Sequence, residues 1–237
     1  MDKRLIVALD YDSMSEVKQL VSKIGDAVNY YKVGMQLFYS AGIESVEYLR
    51  EQSKEIFLDL KMHDIPNTVV KSLKRQSFFK VSMCNVHAFG GRELLTSVAQ
   101  TLKRQAEILN IPRPKLVAVT VLTSMSREDW AYLRQGITIE EQVINLAKLS
   151  QECGLDGVVA SPQEAKIIRE ACGKDFLIVT PGVRPQGSSI NDHSRASTPK
   201  LALANGANYL VVGRPITESP SPRQAALNIL KEMEEVK

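Results

Sequence analysis

Eight short apolar runs, rich in β-branched residues, recur along the chain with helical stretches between them. They fall at residues 4–9, 29–33, 55–60, 81–86, 116–122, 157–160, 176–180 and 209–212. Strands alternating with helices predict parallel βαβ units, because a parallel pair needs a crossover long enough to hold a helix. Right-handed crossovers leave an open sheet or a closed barrel, and a count of eight favours the (β/α)8 TIM barrel. The length of 237 residues agrees, since such barrels run to ~250, and it predicts one domain over residues 1–237.

The helices have readable starts. Ser13 with Glu16 reads as a capping box, ahead of an apolar stripe at Met14, Val17, Leu20, Val21 and Ile24. Ser161 with Glu164 repeats that logic and puts Pro162 in the first helical turn. Thr198-Pro199 predicts a further helix that ends near Asn205-Gly206. Residues 181–198 are rich in Gly, Pro and Ser and lack any helical period, which predicts a lid or binding loop.

Composition excludes several classes. A net charge of +3 is too small to draw nucleic acid, and Lys71, Lys74, Arg75, Lys103 and Arg104 read as solvated helix faces. Cys84, Cys153 and Cys172 form no CxxC pair, so reduced thiols in a cytoplasmic protein are expected rather than disulfides or a zinc site. The apolar run near the N-terminus stops at Asp10, too short for a signal peptide or a membrane span.

In an eight-fold α/β barrel the chemistry gathers at the carboxyl ends of the strands. There the sequence places Asp10, Lys32, Asp59 with Lys61, His87, Thr123, the Pro181–Arg184 turn, and Gly213-Arg214. Positions i and i+2 of a strand share a face, so Asp59 and Lys61 should point the same way, with Asp64 just beyond. Burying such charges costs free energy unless they pair or serve a reaction; an ion pair that only fixes local geometry is the plain alternative. Opposite charges ~4 Å apart attract by roughly 4 kcal/mol at an effective dielectric near 20. That should keep the lysines protonated, which disfavours a Schiff-base role for Lys61 and favours proton donation. Gly213, Arg214 and Arg184 read as a phosphate site after the last two strands, the alternative being a helix start with surface arginines. His63 is expected at a subunit contact, His87 in a hydrogen-bonding role, and Trp130 in helix packing; three histidines on distant segments do not suggest a metal site.

With Asp59-x-Lys61-x-x-Asp64-Ile65 in view, the chain resembles the orotidine 5'-monophosphate decarboxylase family. The resemblance runs end to end through Ala8-Leu-Asp10, Tyr31-Lys-Val-Gly34, Phe57-Leu-Asp-Leu-Lys61, Asp64-Ile-Pro-Asn-Thr68, Asn85-Val-His87, Leu122-Thr-Ser124, Thr180-Pro-Gly-Val-Arg184 and Val211-Val-Gly-Arg214. It implies a homodimeric barrel that converts orotidine monophosphate to uridine monophosphate and carbon dioxide without metal or cofactor. It further implies Lys61 as proton donor to C6 of the pyrimidine, with Lys32 and Asp59 completing the charged array. Asp64 and Thr68 would reach into the neighbouring subunit's site. Asp10 would bind the ribose, Thr123 the pyrimidine edge, and Arg184, Gly213 and Arg214 the phosphate, with Ile65 and Pro181 also against substrate. One position departs: His193 stands where the family has a glutamine bridging phosphate and base, and Gln186 on the same loop is a substitute. Two rivals remain at this point. One is a magnesium-dependent barrel decarboxylase or aldolase acting on sugar phosphates, and the other a non-catalytic nucleotide-phosphate binder on the same scaffold.

Overall fold

A computed structural model describes residues 2–185 and 197–235. Among these residues eight parallel strands close a barrel in sequential order: Leu5–Leu9 (β1), Tyr30–Gly34 (β2), Glu55–Met62 (β3), Met83–His87 (β4), Lys115–Val119 (β5), Gly157–Val159 (β6), Leu177–Pro181 (β7) and Tyr209–Val212 (β8). β1 pairs with both β2 and β8, which completes the ring.

Along most of their length the strands are apolar rather than alternating, because both of their faces are covered. Ile6, Ala8, Tyr30, Phe57, Met83, Val117, Val119, Val159, Val179 and Val211 fill the inside. Their neighbours one position along, such as Leu5, Val7, Leu9, Tyr31, Val33, Ile56 and Leu58, pack outward beneath the helices. Each fully buried side chain of this size contributes roughly 1.5–3 kcal/mol. Low in the barrel, Tyr30 meets Tyr209 edge-on at 6.0 Å, and the Lys115 ammonium lies 4.7 Å over the Tyr209 ring and donates to its hydroxyl.

The helix Met14–Ile24 starts where expected, with half of the box: Ser13 accepts the Glu16 N–H at 3.4 Å, while the Glu16 carboxylate accepts the Ser13 hydroxyl at 2.9 Å rather than its backbone N–H, and Val17, Leu20, Val21 and Ile24 are buried. The helix Pro199–Ala204 opens on Thr198, whose hydroxyl accepts the Leu201 N–H. The Ser161 expectation needs correction. Residues 162–164 form a turn and the helix is Ala165–Cys172, so Pro162 precedes it. Only half of the box exists: the Glu164 carboxylate accepts the Ser161 N–H at 2.9 Å, while the Ser161 hydroxyl makes no hydrogen bond. Cys84, Cys153 and Cys172 are free thiols, all buried. No helix among the described residues is long and apolar enough to cross a membrane.

Candidate active site

The inward-facing files of the first three strands turn from apolar to charged at the barrel's carboxyl mouth. Ile6 and Ala8 lead to Asp10, Tyr30 leads to Lys32, and Phe57 leads to Asp59. Strand register aligns them: Lys32 is level with Ala8 on one side and Phe57 on the other. The result is a continuous row. The Lys32 ammonium donates to Asp10 Oδ1 at 2.9 Å and lies 3.6 Å from Asp59 Oδ2. The Lys61 ammonium donates to Asp59 Oδ1 at 2.8 Å. Lys32 sits in the middle of β2 rather than at its end, and it is buried.

The row is sustained by opposed forces. For Asp59, burial pushes the carboxyl upward, but Lys32, Lys61 and hydrogen bonds from Lys61 and Asn85 outweigh it and hold the group below the usual carboxylate range. Burial likewise disfavours a charged Lys32, and the Asp59 and Asp10 carboxylates reverse that and raise it. A carboxylate and an ammonium, both charged and both dry, are thus stable only together.

Lys61 does not follow a regular strand. Its φ is +49°, and the β3–β4 register shifts between Leu58 and Met62. A left-handed lysine costs roughly 1–2 kcal/mol, so surrounding contacts must impose it. Asp59 and Lys61 thus meet, as the i, i+2 spacing predicts, but across a break in register rather than along a regular strand. Two residues that stand in the quoted motifs, but to which the sequence assigned no role, support the row. Asn85 hydrogen-bonds both Asp59 and the Lys61 N–H. Gly34 leaves the space the Lys32 amine fills, since a Cβ there would lie 2.8 Å from Nζ.

The remaining residues divide by place. Pro181 ends β7 beside Val211 of β8, so it borders the Gly213-Arg214 rim. Gly213 lies close to the row, where a Cβ would sit 3.7 Å from Asp10 Oδ2. Arg214 opens the short helix Arg214–Thr217. Arg184 is buried, its N–H donating to the Ser197 carbonyl at 2.9 Å and its guanidinium to the Val183 carbonyl at 3.0 Å. Thr123 is not at a strand end: β5 stops at Val119, and Thr123 is half-buried in the segment that follows. Asp64, Ile65 and Thr68 are exposed. Among the described residues no bond joins Asp64 to Lys61; its carboxylate instead accepts the Ile65 N–H at 2.6 Å, ahead of the helix Pro66–Gln76. Burial of Asp64, as expected from sequence, does not occur within this chain. His193 and Gln186 lie outside the described residues.

His63 stacks on His87 with ring centroids 5.2 Å apart. Burial first, then His63 and Lys61, push the His87 imidazole down to about 4. These rings, with Leu122, Met125, Trp130 and Leu133, line a cavity of about 420 Å³ beside the mouth. Trp130 is the buried residue of the helix Arg127–Leu133, its indole donating to the Ile137 carbonyl at 2.8 Å. Among the described residues no three His, Cys, Asp or Glu side chains gather as a metal set.

A closed α/β barrel that carries an acid–amine row at its carboxyl mouth has the architecture of a barrel enzyme. Comparison with known proteins makes this specific. The model of the orotidine 5'-phosphate decarboxylase / HUMPS family matches residues 3–229. The orotidine 5'-phosphate decarboxylase of Moorella thermoacetica is 47% identical over 236 residues, covering 99% of this chain and 93% of that one. The Syntrophomonas wolfei protein of the same name is 45% identical, covering 98% of each. The crystal structure of orotidine 5'-phosphate decarboxylase from Lactobacillus acidophilus superposes with a TM-score of 0.84 at 42% identity, over 98% of this chain and 99% of that one. The chain belongs to the orotidine 5'-phosphate decarboxylase / HUMPS family. By that membership it is a carboxy-lyase of the decarboxylation step in pyrimidine biosynthesis.

Proposed function

We propose that this chain, a single barrel domain acting in the cytoplasm as a homodimer with shared active sites, decarboxylates orotidine 5'-monophosphate to uridine 5'-monophosphate without metal or cofactor. The observation that carries the proposal is the row Asp10–Lys32–Asp59–Lys61, which presents one partly exposed ammonium at the barrel mouth. Loss of carbon dioxide breaks the bond from C6 to the carboxyl carbon and leaves the electron pair on C6, a vinylic carbanion without a conjugated sink. Stabilisation toward the upper end of ~8–23 kcal/mol is then required. A preorganised Lys61 ammonium lowers the energy of the forming anion and then gives it a proton. Asp59, itself fixed by Lys32, holds that ammonium in place, and solvent reprotonates the amine after product leaves.

The other contacts follow the family pattern. Asp10 binds the ribose, Thr123 the pyrimidine edge, and Arg184, Gly213 and Arg214 the phosphate, with Pro181 alongside. Asp64, Ile65 and Thr68, exposed in the single chain, complete the partner's site across the dimer. His193, with Gln186 near it in sequence, would replace the bridging glutamine. Phosphate binding far from C6 contributes to orientation at the reacting carbon.

The test is turnover of orotidine monophosphate by the purified protein with EDTA present, followed by loss of the orotate chromophore. Undiminished turnover supports the proposal. Activity that chelation removes would favour the magnesium-dependent rival, and an inert dimer would point to a binder.

A further inference from the structure

Asn85 takes no part in the roles assigned above, yet its side chain ties two members of the charged row together. It lies in the middle of β4 and is 1% exposed. Cys84 and Val86 face outward and Met83 faces inward, so strand alternation turns Asn85 inward, directly above Met83. A primary amide at such a place is unfavourable unless both of its ends are paired. Both are. Nδ2 donates to Asp59 Oδ1 at 2.6 Å, the same oxygen that accepts from Lys61. Oδ1 accepts the Lys61 backbone N–H at 2.8 Å. The amide has only one satisfactory orientation, because a carboxylate accepts and a backbone N–H donates.

The second bond falls where the sheet needs it. The β3–β4 register slips between Leu58 and Met62, and Lys61 sits inside the slip with φ +49°. Its N–H is therefore met by a side chain rather than by the strand ladder. Without that acceptor the donor is left unpaired, and relaxation of the bulge toward regular strand geometry would re-aim the Lys61 side chain.

We propose that Asn85 is a positioning residue for decarboxylation: one buried amide fixes both the Asp59 carboxylate and the left-handed backbone of Lys61, so that the Lys61 amine is held at a single place in the mouth. This rests on the reading of Lys61 as proton donor. No other side chain of this size serves both ends. Leucine fills the volume but pairs with neither, serine is too short to reach both, and an ionised aspartate repels Asp59.

The aspartate case supplies a signature that a purely structural role would not give. In Asn85→Asp the new carboxyl and Asp59 share a proton at lower pH, and the protonated carboxyl then donates to Asp59 while accepting the Lys61 N–H, as the amide does. Turnover of orotidine monophosphate by full-length native protein, Asn85→Leu, Asn85→Asp and Lys61→Ala is to be compared across the neutral and mildly acidic range. Asn85→Leu should lower kcat about 10²-fold with KM, set largely by the distant phosphate, changed less than about threefold. Asn85→Asp should gain kcat as pH falls, relative to the native profile. The proposal is overturned if Asn85→Leu retains kcat within about threefold of native, or if Asn85→Asp gains nothing on acidification. Should Asn85→Leu fail to fold, the Asn85→Asp profile decides alone. Lys61→Ala separates the two readings: near-native turnover there removes the proton-donor role itself, whereas a dead Lys61→Ala beside native-like Asn85 variants removes only the positioning role.

Discussion

At Gly34 the absent side chain matters more than most that are present. The residue is extended, with φ −92° and ψ −179°, so alanine is compatible with its backbone. The added Cβ would lie 2.8 Å from Lys32 Nζ and 3.4 Å from Asp10 Oδ1. Only the tip of a flexible side chain has to move, so folding should tolerate the change while the row does not. Gly34→Ala is expected to lower kcat about 10²-fold, the order of effect of misplacing a catalytic group, with the thermal midpoint shifted only slightly. A variant with native turnover would show that Lys32 need not occupy its place. His87 offers a residue-scale test against pH. Its ordinary value of 6.5 falls to about 4 in the folded chain, so between those values the unfolded chain binds the extra proton. Stability is therefore complete above 6.5, declines as pH falls to about 4, and levels off below. Discounted for partial exposure, the loss is about 1–2 kcal/mol. His87→Asn should flatten this part of the urea-unfolding profile by that amount; a variant curve parallel to the native one would exclude His87 as its origin. Of these residues the charged ones were legible in the sequence, because acids and lysines interrupting apolar runs stand out. Gly34 and Asn85 stand in the quoted motifs, but their residue types announced no role, since a glycine at a strand end or an amide within a strand has many ordinary reasons to be there.

Among the elements, the strands were legible because buried parallel strands read as unbroken apolar runs. Run 209–212 coincides with β8. The largest departure is at 116–122, where Val121 and Leu122 continue the apolar run although β5 stops at Val119. Apolar character there does not mean strand, and Thr123 was placed at a strand end for that reason. β3 departs the other way: it continues to Met62 through a bulge that propensity does not encode. The shortest strand, β6, is closely constrained by its neighbour. A Cβ on Gly157 would collide with the Leu177 carbonyl oxygen and lie 2.5 Å from the Leu177 Cβ. Those atoms belong to the backbone of β7 or adjoin it, so they cannot yield as a side-chain tip can. Gly157→Ala should therefore lower stability by about 1–3 kcal/mol, read as a reduced urea midpoint without a change in slope. A native midpoint would mean that β6 and β7 can separate at little cost.

For the whole molecule, the contrast between the buried row and the exposed 64–68 segment bears on assembly. Lys32 and Asp59 are buried within one chain, while Asp64, Ile65 and Thr68 face away from it, with Ile65 66% exposed. Spacing along the chain put Asp64 just beyond Lys61, and the family resemblance put it in the neighbouring subunit's site; an outward-facing segment is compatible with that second placement. If Asp64 acts in the partner's site, Lys61→Ala and Asp64→Ala each disable every site of their own homodimers. A hybrid dimer differs. One of its sites combines both substituted residues, and the other combines native Lys61 from one chain with native Asp64 from the other. Random exchange makes half of the dimers hybrid, so about one quarter of the sites should recover. Mixing the two inactive proteins under conditions that allow subunit exchange should thus raise turnover toward that fraction of the native rate. Exchange is monitored separately by mixing differently tagged chains. Complete exchange without recovered activity would mean that each site is built from one chain alone, and the outward-facing Asp64 would then need a different explanation.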